Sequence, residues 1–83
     1  MIGDGQMSEK EQILFMQTRL IRLAAEKWNT SIQKADNIFF SYGVFKFIED
    51  CYGLFHLEGD EAVFHEIEEY LKNREVDVYA ELG

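Results

Sequence analysis

Three side chains in this 83-residue chain carry metal-ligand or nucleophile chemistry: Cys51, His56 and His65. A zinc site needs several such ligands converging on one point. The spacing C-x4-H-x8-H fits no established zinc pattern, and Cys51 falls on the apolar side of a helical segment. As a nucleophile, Cys51 needs a neighbouring base. His56 lies five residues on, with Gly53 between, and no third group stands out to orient it. A cysteine in that setting reads as a small packing residue. The expectation is therefore no catalytic residue, no metal and no cofactor. His56 itself sits between Phe55 and Leu57, where a ring packs while one nitrogen bonds a backbone carbonyl. Membership of a binding surface is the alternative.

Carboxylates are plentiful, as in Glu49 with Asp50 and Glu68 with Glu69. Adjacent residues on a helix point about 100° apart and do not face each other. A solvated face is the default reading, because acid–base work needs a cleft that shifts a pKa. The G-D-G at 3–5 has no strand before it, and no GK[ST] occurs, so no phosphate loop is present. A helix-turn-helix around Gly43 would need Arg, Lys, Asn or Gln on its second helix. That stretch offers Lys46 beside Glu49 and Asp50, which argues against DNA readout.

The charge balance points the same way. Sixteen acids against eight bases give a net charge of −8. Residues 1–42 are balanced; the whole excess lies in 43–83, where only Lys46, Lys72 and Arg74 are basic. Such a surface repels phosphate backbones and anionic lipid and favours a basic protein partner. A single cysteine excludes an intramolecular disulfide and fits a reducing cytoplasm. The N-terminus has no basic region leading into an apolar core, so no signal peptide is expected. The longest apolar run, Ile13 to Met16, is far short of a membrane span. Met7 is an alternative start, and the segment 1–7 reads as an arm outside the fold.

The elements that must position these residues follow from periodicity. Ser8 with Glu11 is a capping box, and a first helix is expected over about 8–28. Its apolar residues, from Ile13 and Leu14 to Trp28, cover about 200° of the wheel, so it should be central with neighbours on two sides. Phe15 falls in its polar arc and marks a partner surface, or else is a lone exposed aromatic or one covered locally by the N-terminal arm. Thr30 with Gln33, or Ser31 alone, caps a second helix to about Ser41, with Phe40 pointing away from its apolar face. Gly43 is a helix stop. A third helix is expected at Val44–Tyr52, ended by Gly53, then a hydrophobic connector. Asp60 caps a fourth helix to about Asn73 with a narrow apolar stripe. In the tail, Val76, Val78 and Ala80 alternate with Asp77, Tyr79 and Glu81, a strand signal without a mate. The expected architecture is all-α: a compact bundle of four short helices in one domain, 8–74, with a frayed tail at 75–83.

The stretch from Trp28 to Leu71 also resembles a family of small bacterial proteins known by a domain-of-unknown-function label. The resemblance rests on W-N-T-S at 28–31, F-F-S-Y-G-V at 39–44, F-I-E-D-C-Y at 47–52, L-F-H at 54–56 and E-I-E-E-Y-L at 66–71. It implies a small accessory protein, of a kind often encoded beside larger proteins similar to ADP-ribosyltransferase toxins. An antitoxin-like binding role follows from it, with no catalytic residues to carry over. The expectation is a non-enzymatic protein-binding module; the alternative is a structural homo-oligomer, such as a homodimer. Candidate binding residues are Phe15, Phe40, Glu49, Asp50, His56 and Tyr79.

Overall fold

The structure is a computed structural model that describes residues 7–83. The G-D-G at 3–5 and the rest of the expected arm up to residue 6 lie outside the described residues. Six helices follow in order: α1 Glu9–Lys27, α2 Ile32–Ser41, α3 Val44–Asp50, α4 Tyr52–Phe55, α5 Asp60–Asn73 and α6 Val78–Leu82. No strand forms among the described residues. The all-α bundle is as expected, and four of the helices have seven residues or more.

Local chemistry starts and stops the chain where the sequence signals it. Ser8 Oγ accepts from the Glu11 amide at 3.2 Å, and the Glu11 carboxylate accepts from the Ser8 amide at 2.9 Å. Both halves of the capping box are thus made. Ser31, not Thr30, caps α2, accepting from the Lys34 amide at 3.1 Å. Gly43 ends α2 in the left-handed region at φ +73°, which glycine enters without a Cβ penalty. The Tyr70 hydroxyl donates to the Tyr42 and Gly43 carbonyls there, at 2.8 and 3.2 Å. The Tyr42 carbonyl, at the α2 terminus, would otherwise need water, while that of Gly43 also accepts the Phe47 amide at 3.0 Å as α3 begins.

α1 is the hub, packing against α2, α3 and α5. Met16, Leu20, Ala24 and Ala25 are buried along it. Trp28, just past its end, meets Phe39 of α2 edge-on at 6.1 Å and Phe64 of α5 at 5.6 Å. Val63, Phe64, Ile67 and Leu71 form the single buried stripe of α5. Edge-to-face aromatic pairs of this kind add to plain area burial.

Three expectations are corrected. The third helix breaks at Cys51 rather than at Gly53, because the Cys51 carbonyl takes both the Leu54 and Phe55 amides and starts a new short helix. Leu54 and Leu57 of the connector are exposed, and only Phe55 of that run is buried. The tail is neither frayed nor strand-like. Glu75 takes φ +59° and turns the chain, and Asp77 caps α6 by accepting from the Ala80 amide at 3.2 Å. Val76, Val78 and Leu82 are half-buried against the core. A smaller shift concerns Asp60, which lies inside the first turn of α5, the cap position being Gly59.

Candidate functional site

Phe15 falls on the side of α1 away from the buried Leu20 and Ala24, while Leu14 shares the edge of the buried arc with Ala25 but lies about three turns nearer the N-terminus. Leu14 is 59% and Phe15 50% exposed. Together they form an apolar ridge on the N-terminal half of the longest helix, with a groove on each flank. One groove runs toward α4, between Phe15 and Met16 on one wall and Tyr52, His56 and Glu58 on the other. The second runs toward α3, between Ile13, Leu14 and Gln17 on one wall and Glu49 on the other.

Hydrogen bonds hold both walls in place. Tyr52 Oη donates to Gln12 Oε1 at 2.7 Å, tying α4 to α1. Gln12 Nε2 in turn donates to the Met7 carbonyl at 3.0 Å. Gln17 Nε2 donates to the Phe45 carbonyl at 3.0 Å, tying α3 to the other side of the same helix. The His56 ring stacks on Tyr52 at 5.2 Å. Its Nδ1 lies 2.9 Å from the Tyr52 carbonyl. A carbonyl only accepts, so Nδ1 carries a proton in this bond. This is the carbonyl bond expected of His56, and it gives the ring a structural task on the wall of the groove.

The six candidate residues do not form one surface. Phe15 and His56 share the α4-side groove. Glu49 faces the other flank of the ridge. Asp50 is engaged by Lys46 at 2.7 Å, a bond that, with the nearby Glu49 charge, holds the Lys46 ammonium above its ordinary pKa. Phe40 is 79% exposed on α2. Tyr79, 67% exposed, lines a separate groove over Trp28 and Leu71 beside α6.

Ion pairing sorts the acids further. Asp60 takes the Arg19 guanidinium at 2.9 and 3.4 Å. Glu61 takes Lys27 at 3.1 Å. Among the described residues no ion pair engages Glu49 or Glu58. No hydrogen bond joins Cys51 to His56 among the described residues, and no cluster of three metal-ligating side chains forms there. Leu14 is the residue that sequence reasoning missed, since it was counted with the apolar arc; its place beside Phe15, at the edge of that arc, was the available signal.

A model of the family described as a protein of unknown function, DUF3791, matches residues 15–74. The matched stretch runs from Phe15 through the end of α5 and leaves α6 outside. No curated protein and no solved structure matches the chain. The family match covers well over half of the sequence, and the chain belongs to DUF3791.

Proposed function

We propose that this DUF3791 chain is a non-enzymatic protein-binding module that works through the α1 ridge. The observation that carries the reading is the exposed pair Leu14–Phe15 on a capped helix, with a groove beside each. Adjacent large apolar side chains held in water by a fixed helix mark an interaction surface, and an aromatic anchor beside pockets is the usual centre of one. The chemistry-bearing groups have structural tasks instead: His56 is bound to a backbone carbonyl, and Cys51 is a half-buried thiol packed against the core.

The finer reading is an antitoxin-like partner of a larger, ADP-ribosyltransferase-like enzyme. Its support is the resemblance over Trp28–Leu71 together with the acid excess of residues 43–83. A tagged chain incubated with lysate of its source organism, read by mass spectrometry, tests the module. One stoichiometric protein is expected, reduced in a Phe15→Ala variant of unchanged circular dichroism. Recovery of the bait alone, or of the same protein at equal yield with Phe15→Ala, would sink the reading.

A further inference from the structure

We infer that the Leu14–Phe15 ridge receives a basic amphipathic helix of the partner protein. The inference rests on the protein-binding reading and deepens it by fixing the partner's chemistry. The shape argues for a helix. Leu14 and Phe15 each stand beside a separate groove, and an amphipathic helix, whose apolar side chains recur at i, i+3, i+4 and i+7, seats such side chains in grooves of this kind. The outer walls carry Glu49 of α3 and Glu58 of the connection between α4 and α5.

The charge argues for a basic one. The acids beside the ridge are Glu9, Glu11 and Glu49 on one side and Glu58 on the other. The cations there are Lys10 and Arg19, and Arg19 is already held by both oxygens of Asp60. An acid excess therefore brackets two leucine-sized and larger apolar side chains. A helix with Lys or Arg beside an apolar stripe places its charges against Glu49 and Glu58 as its stripe meets Leu14 and Phe15. Other occupants fit worse. A second copy docked face to face brings the same acids together across the two-fold. Nucleic acid and anionic lipid meet the net charge of −8.

The test uses the full chain and three fluorescent synthetic peptides of about four helical turns. The first is amphipathic Leu/Lys, the second Leu/Glu with the same stripe, and the third carries the lysines with Ser in place of Leu. Only the Leu/Lys peptide should bind appreciably. Its affinity should fall about tenfold in Leu14→Gln/Phe15→Gln and about tenfold in Glu49→Gln/Glu58→Gln. Circular dichroism must show each variant folded, and the single variants replace any that is not. Equal binding of the Leu/Glu peptide, equal binding of the Ser/Lys peptide, no binding at all, or indifference to Leu14 and Phe15 would overturn the inference. So would a mass by light scattering that doubles with concentration and reverts in Leu14→Gln/Phe15→Gln. A captured protein that depends on Phe15 but is not displaced by the Leu/Lys peptide defeats this inference and leaves the protein-binding reading standing.

Discussion

Gly43 is where a single methyl group matters most. Its φ of +73° alone disfavours any side chain, and a Cβ there would come within 3.0 Å of Tyr70 Oη. Gly43→Ala should cost about 1–2 kcal/mol from the backbone conformation, with the contact added. Tyr70→Phe removes that oxygen and should cost about 1 kcal/mol by itself. The double variant, measured by urea unfolding, should be less destabilised than the two singles added together. Strict additivity would show that Tyr70 yields freely to the methyl. Tyr42 offers a titration instead. The nearby Glu81 carboxylate, as an acceptor for the phenol proton and as a charge, together with desolvation, raises the phenol above its ordinary value. A raised value means that the folded chain keeps the proton longer. The contribution is therefore complete below about pH 10, where the unfolded phenol is also protonated, and is lost as pH rises through the folded value. Glu81→Gln should lower the phenolate midpoint of one of the four tyrosines, and an unchanged absorbance titration would remove Glu81 from the account. Gly43 as a stop and Phe15 as an outlier were legible in the sequence. The partners were not: Arg19 and Asp60 stand 41 residues apart, so nothing local showed that Asp60 was taken.

At the scale of elements, legibility followed length and caps. α1 and α5 each run for several turns, enough for a 3.6-residue period to stand out, and Ser8 and Ser31 announced their helices because an N-cap bond is made within three residues. Ser8→Ala should therefore lower stability by about 1 kcal/mol, read as an earlier midpoint in urea with an unchanged slope. No shift would mean that water replaces the cap at that exposed end. α6 misled for a physical reason. Over five residues a period of two and a period of 3.6 share many positions, and Val78 with Leu82 satisfies the helical i, i+4 spacing as well as an even alternation. The difference is made by Asp77 at the cap and by the apolar surface that Val76, Val78 and Leu82 find. That surface belongs to the assembled bundle, so the tail alone did not contain the answer. The break at Cys51 is of the same kind, since Tyr52 and Phe55 turn inward against a core built by other segments.

For the molecule as a whole, one quantity acts in two directions. The net charge of −8 sits on a domain whose core is gathered around α1, from Leu20 to Trp28. Self-repulsion of that charge opposes compaction. Among the described residues, the Lys and Arg ion pairs set against it, Arg19–Asp60, Lys27–Glu61 and Lys46–Asp50, are all partly exposed. Pairs of that exposure contribute about 0–1 kcal/mol each and are themselves screened. Salt shortens the reach of charge to about 8–10 Å at physiological strength, which relieves the many long-range repulsions while weakening three short attractions. Added sodium chloride should therefore raise the melting temperature of the free chain. A fall would show that the three pairs outweigh the repulsion. The docking of a basic helix on the ridge should respond oppositely, because Glu49 and Glu58 attract it across solvent-exposed walls. Affinity for the Leu/Lys peptide should thus drop over the same salt range in which the protein grows more stable. If both curves rise together, the apolar ridge carries the binding and the flanking acids contribute nothing to it.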